Sequence, residues 1–336
     1  MLKFFFSKKK RPDYGAVDLS IVIPIDLSYR SHDILQRIKR LVAIAQDQSI
    51  DFILGCNAQP ERQVQQLKKI IAGCPQITLV IDHSASGHLS RLRNIALAQV
   101  QTRYVMFLDI DIHINLQQIH NAFTEVQQDP AQLCMYPCLY LSKKGSKQVN
   151  HLTLAAFRHA YYDFRRDLIL HLAFPSSIII TDLKSVHAIH GFDEQFIGHG
   201  YEDFDFMLRL FQHKGLIDYQ PALLLDETYL APMMATGFRA ILAESQLEQL
   251  LKKQYFLHIH HEKDKKSLYH QQRQANQQRF EMKLKQQINA EAKVTGTAPP
   301  YLLKAFFQLL AQQKIKRPEY SALWAEIQGH RLRNLN

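Results

Sequence analysis

The chain has 336 residues, 46% hydrophobic and 21% charged, a balance that excludes a disordered protein. No apolar run approaches the about 18 residues of a membrane-crossing helix, and the apolar patch in MLKFFFSKKKRP is too short for a secretory signal core, so a cytoplasmic protein is expected. The net charge of +10 is uneven, at +5 over residues 1–11, −3 over 12–240 and +8 over 241–336, and the basic ends suit an anionic membrane surface, a polyanionic substrate or nucleic acid.

LSIVIPI (19–25) reads as a first strand, closed by the polar run DLSYRSHD. Ile34, Leu35, Ile38, Leu41, Val42 and Ala45 form one stripe and predict a helix over 32–46. IDFILGC (50–56) is a second strand, 60–72 a second helix, and ITLVID (77–82) a third strand. SASGHLSRLRNIALAQV (84–100) opens with cap-type residues and continues as a helix. RYVMFLDIDI (103–112) is the fourth strand. Such alternation with short connections predicts a mostly parallel sheet with helices on both faces, which binds ligands beyond the carboxyl ends of its strands. The polar clusters at 26–30, 56–57, 82–84 and 109–113 fall at that edge.

Further along, 116–128 reads as a helix, 133–141 as a strand, 152–172 as helical, PSSIIITD (175–182) as a strand and 201–214 as a helix. TGTAPP (295–300) reads as a linker before a terminal helical pair, YLLKAFFQLL and SALWAEI. Cys56, Cys74, Cys134 and Cys138 lack the spacing of a zinc site or a redox pair and are expected to be buried free thiols.

Three clusters carry chemistry. In FLDIDIHI (107–114), strand alternation sets Asp109, Asp111 and His113 on one side and Ile110, Ile112 and Ile114 on the other. Paired carboxylates at a strand end can bind a divalent cation, directly and through water. In GFDEQFIGHGYEDFDFMLRL (191–210), Glu202, Asp203 and Asp205 open a helix after Gly198 and Gly200, so they cap its positive end or supply a general base. In HIHH, His258 and His261 are three apart, on one helix face or tight turn, and can complete a metal site begun by Asp111.

ASGHLSRLRNIALAQVQTRYVMFLDIDI and GFDEQF…GYEDFDFMLRL resemble the Arg-Asn helix, the metal strand and the acceptor motif of the family 2 inverting glycosyltransferases with the GT-A fold. HIHHEKDKKSLYHQQRQANQQRF is similar to the metal-binding and loop segment of the β-1,4-galactosyltransferases, and the whole also resembles bacterial capsule glycosyltransferases of the chondroitin-polymerase kind. The likeness covers about residues 19–282. It implies a basic segment 1–18, a GT-A domain 19–282 and a helical extension 283–336. Within the domain, 19–115 would bind the nucleotide sugar and 116–282 the acceptor and metal.

By that resemblance Pro24, Asp26, Arg30, Asp82, Arg93, Asn94 and Asp109 bind the nucleotide sugar. Gly200, Tyr201 and Glu202 meet the acceptor, and Asp203 is the catalytic base with Glu202 beside it. Asp111, His258 and His261 hold Mn²⁺ or Mg²⁺. The expected donor is a UDP-sugar carrying a hexose or N-acetylhexosamine, and the acceptor a hydroxyl of a capsule or other surface glycan. The basic ends leave room for peripheral contact with the inner membrane or capsule assembly proteins. Tyr201 departs from the glycine of many relatives, and Phe196 and His199 stand near an expected tryptophan. His261, Tyr269, Asn276 and Phe280 fall near one stripe, which reads either as closure of 258–280 over the donor or as core packing of Tyr269 and Phe280. Two other readings compete: an inert scaffold of the same fold in a polysaccharide assembly complex, and a nucleic-acid binder, against which the acidic cleft argues.

Overall fold

A six-stranded sheet organises the computed structural model, which describes residues 17–46, 49–84, 88–227, 230–262, 271–288 and 301–325. Strands β1 (Leu19–Ile25), β2 (Asp51–Asn57), β3 (Ile77–Asp82) and β4 (Tyr104–Phe107) lie parallel in the order β3-β2-β1-β4. The sheet extends past β4 through β8 (Ile179–Asp182), antiparallel to β4, and then β5 (Leu133–Met135), antiparallel to β8 and so aligned with the first four.

Every residue of β1 is buried, and its period of two divides the core. Leu19, Ile21, Ile23 and Ile25 pack under α1 (Ser31–Ala45), α2 (Glu61–Ile71) and α4 (Leu116–Gln128), while Val22 faces α3 (Leu89–Leu97) and α8 (Glu202–His213). The helices lie on both faces, as expected of this α/β class. β2 approaches α3 so closely that a Cβ on Gly55 would stand 1.9 Å from the Leu92 carbonyl oxygen.

A second sheet, in the order β7 (Ile169–Ala173), β6 (Cys138–Leu141), β9 (Phe256–His258), sits beside the first. It corrects two expectations. The strand read over 133–141 is two strands in different sheets, because Pro137 lacks the N–H a ladder needs and its carbonyl turns to Phe256. The helix read over 152–172 is α6 (Leu154–Tyr162) only; Phe164 is left-handed at φ 54° and the chain re-emerges as β7. Between β6 and α6 lies α5 (Lys143–Lys147), and α7 (Leu183–Ala188) follows β8.

After α8 come α9 (Gly237–Glu244), α10 (Leu247–Lys252), α11 (Arg273–Gln287) and α12 (Tyr301–Gln312). Leu302, Phe306 and Leu310 of α12 join the core that α8 and α9 share. The last element among the described residues is a 3₁₀ turn, Arg317–Leu323, over the start of SALWAEI, whose end lies outside the described residues. Residues 1–16, 263–270, with Tyr269, and the expected linker lie outside the described residues. All four cysteines are buried and free. No helix among the described residues is long and apolar enough to cross a membrane.

Candidate active site

β4 stops at Phe107, and residues 109–112 turn, with the Ile112 amide on the Asp109 carbonyl at 3.0 Å. The alternation read through residue 114 is therefore broken by this turn. Ile112 instead forms an antiparallel bridge with His258, reinforced by His113 N to Leu257 O and Ile259 N to Asp111 O, both 2.8 Å. This bridge ties the end of the parallel sheet to β9. One ligand atom each from Asp111, His258 and His261 then lie within 4.8 Å of one another. His258 closes a strand, so the two histidines meet through a bend and not along a helix.

Burial pushes the His258 imidazole down to about 4, against the pull of Asp111, and burial also lowers His261. Both are therefore neutral at pH 7, which is the ligating form. His261 Nδ1 lies 3.2 Å from the Glu262 carbonyl oxygen, a contact that needs an N–H there and leaves the Nε2 lone pair 3.4 Å from Asp111 Oδ2. The His258 ring stacks on Tyr140 at 4.1 Å, and Tyr140 stacks on His171 at 4.5 Å. Burial raises the Asp111 carboxyl, but the hydrogen bonds and the charge of Arg30 outweigh it and hold it below its ordinary value. One carboxylate and two neutral imidazoles are a donor set that fits a divalent transition ion.

A second cluster adjoins the triad. Arg93, buried on α3, places Nη2 2.9 Å from Asp109 Oδ1 and Nη1 3.4 Å from Glu202 Oε1. Tyr201, left-handed at φ 71° after Gly200 at φ 98°, starts α8 and aims Glu202 and Asp203 at this guanidinium. Burial, then the charge of Asp203, push Glu202 up to about 7, and burial raises Asp203 although Arg93 pulls the other way. Glu202 Oε2 has no partner among the described residues. Arg93, Asp109, Ser177 and Asp203 line one pocket over an apolar floor that includes Phe107 and Phe206. Tyr140 joins the two clusters: burial and the nearby Cys138 raise its phenol well above the ordinary value, and the charges of Asp109, Asp203 and Asp111 add to the same shift.

The other expected residues are arranged around this centre. Pro24 is buried in β1 opposite Gly55. Asp26 follows β1 and accepts from the Ser28 amide at 2.9 Å. Arg30 pairs with Asp111 at 2.9 Å. Asp82, at the end of β3, receives Arg91 Nε at 2.8 Å and the Ser84 amide at 3.0 Å. Asn94 binds both backbone groups of Phe192, at 2.8 and 2.9 Å, and thereby clamps α3 to the loop between α7 and α8. A Cβ on Gly200 would stand 2.7 Å from Arg273 Nη1 on α11, and Tyr201 Oη donates to Asp226 at 2.6 Å. Sequence reasoning missed Arg37, Tyr140, His171 and Ser177. Arg37 carried a faint signal, as a cation on the first turns of a helix that leaves the binding edge.

Three solved structures of S. aureus TarS 1–349 are similar to this chain at 16% identity. The protein alone gives a TM-score of 0.39 over 57% of this chain and 55% of that one. Its complex with UDP-GlcNAc gives 0.40 over 58% and 53%, and its complex with UDP gives 0.38 over 57% and 54%. This chain thus spans little more than half the length of each. No curated protein matches it. The family model for glycosyltransferase like family 2 matches residues 20–286, which hold the whole of the triad and the carboxylate cluster; the chain belongs to that family of glycosyltransferases.

Proposed function

We propose that this glycosyltransferase moves a hexose or N-acetylhexosamine from a nucleoside diphosphate donor of the UDP-sugar class to a hydroxyl of a growing surface glycan, with inversion. The observation that carries the metal-dependent form of this reading is the convergence of Asp111, His258 and His261 to within 4.8 Å at the edge of the parallel sheet. An ion held by these three would supply Lewis-acid charge to the leaving diphosphate. Two imidazoles in the set favour Mn²⁺ over Mg²⁺, which prefers oxygen ligands.

Asp203 takes the proton of the attacking hydroxyl, and burial raises its basicity toward the working pH. The unpartnered Oε2 of Glu202 holds the acceptor by hydrogen bonding. Arg93 keeps Asp109 and Glu202 in place and, with Asp109, faces the donor sugar. Pro24, Asp26, Arg30, Asp82 and Asn94 shape the nucleotide side, and Gly200 and Tyr201 the acceptor side. Residues 19–282 form the catalytic unit in this reading, and the basic ends support peripheral contact with the inner membrane or with assembly proteins.

The test is nucleotide release from a panel of nucleotide sugars with candidate glycan acceptors. One UDP-sugar is expected to turn over, to stop in chelator and to resume with Mn²⁺. Full turnover in chelator would remove the ion from the account. No turnover with any donor would favour an inert scaffold.

A further inference from the structure

Asp111 is engaged by two guanidinium groups. Arg30 grips it with both prongs, Nη1 at 3.2 Å from Oδ1 and Nη2 at 2.9 Å from Oδ2, and Arg37 Nε lies 3.4 Å from Oδ1. Asp33 accepts from Arg30 Nη1 at 3.0 Å and from Arg37 Nε at 3.2 Å, so the two cations are yoked at the start of α1. Arg37 Nη2 donates to the His260 carbonyl at 3.3 Å and Tyr29 Oη to the Glu262 carbonyl at 3.1 Å, which fastens the histidine segment to the same helix end.

These cations are incompletely satisfied. Arg37 is only 8% exposed, yet its Nη1 has no partner among the described residues, and Arg30 Nε is likewise buried without one. A buried N–H without an acceptor is costly, so the pair calls for an oxygen-rich anion at the sheet edge. A divalent ion on Asp111 competes with the two-pronged guanidinium for the carboxylate lone pairs and is repelled by both charges.

We propose that Arg30 and Arg37 stand in for the divalent ion on Asp111 until a nucleoside diphosphate offers them its own oxygens, so that ion and donor enter as a coupled pair. This rests on the metal-dependent reading above. The linkage is reciprocal: the diphosphate raises ion affinity by the factor by which the ion raises diphosphate affinity. Direct ligation of the ion by phosphate would also couple them. The distinguishing quantity is therefore ion affinity with no nucleotide present.

Mn²⁺ is titrated into nucleotide-free protein and free Mn²⁺ is read by electron paramagnetic resonance, for wild type, Arg30→Gln, Arg37→Gln and His261→Ala, each checked for a wild-type thermal melt. Arg30→Gln is expected to bind Mn²⁺ about tenfold more tightly than wild type, Arg37→Gln more tightly by a smaller factor, and His261→Ala more weakly. In both arginine variants UDP should bind more weakly and enhance Mn²⁺ affinity less. Folded arginine variants with unchanged or weaker nucleotide-free Mn²⁺ affinity would overturn the proposal, and Arg37→Gln alone decides should Arg30→Gln fail to fold. Absence of Mn²⁺ binding in every protein, UDP included, would instead overturn the metal-dependent reading and this proposal with it.

Discussion

Arg93 on α3 reaches Glu202 on α8 at 3.4 Å while its other terminal nitrogen holds Asp109 at 2.9 Å. One buried guanidinium thus serves carboxylates from two separate segments, one just past β4 and one on α8, with Asp203 adding a third nearby. Three acids around one cation cannot all ionise cheaply, and the pH behaviour of the protein follows from that imbalance.

Glu202 and Asp203 titrate as a pair, and both are raised by burial. The base must be ionised to work. The acid limb of kcat/KM is therefore expected above the ordinary aspartate value of about 4, with activity falling as pH drops through it. Initial rates between pH 4 and 9 check this; a limb at the ordinary value would contradict it.

Stability carries the opposite sign. Glu202 rises from 4.5 to about 7 on folding, so its contribution is fully present below 4.5 and is lost as pH rises through about 7. Glu202→Gln is expected to melt above wild type at pH 8, with a smaller difference at pH 5. Paired thermal melts at the two pH values measure it.

Asp203→Asn is expected to lower kcat by about 10²–10⁴-fold while UDP and Mn²⁺ affinities stay at wild type. Single-turnover rates and binding titrations on the same preparation separate the two effects. Near-wild-type turnover would remove Asp203 as base.

Gly55→Ala should be among the most damaging single changes in the fold. Its Cβ would meet the Leu92 carbonyl oxygen at 1.9 Å, and both partners are backbone of packed elements. A loss of about 3 kcal/mol or more in urea unfolding is expected, with Leu92 unable to give way as a side chain would.

The parallel half of the fold was readable because β1, β2 and β3 are apolar runs closed by polar turns. β6 and β7 were not, because Pro137 and Phe164 redirect the backbone inside segments whose apolar content still looks continuous. The residues Asp111, His258 and His261 were visible as motifs, but their meeting depends on the Ile112–His258 bridge, which joins segments nearly 150 positions apart and leaves no local pattern. Asp109 and Asp111 looked like a pair on one strand face. The turn at 109–112 gives them different partners, Arg93 for Asp109 and Arg30 for Asp111. Tyr140, His171 and Arg37 act through stacking or pairing with distant segments, and single-sequence patterning does not record such contacts. The expected stripe from His261 to Phe280 held only in part: Asn276 and Phe280 are buried on α11, whereas His261 precedes that helix.

The most direct measurement is anomalous X-ray scattering from crystals grown with Mn²⁺ and UDP. The account predicts one strong peak bonded to the Asp111 carboxylate and the His258 and His261 imidazoles, with Asp203 across the same cleft. A peak held elsewhere, for instance by Asp109 and Glu202 without either histidine, would contradict it.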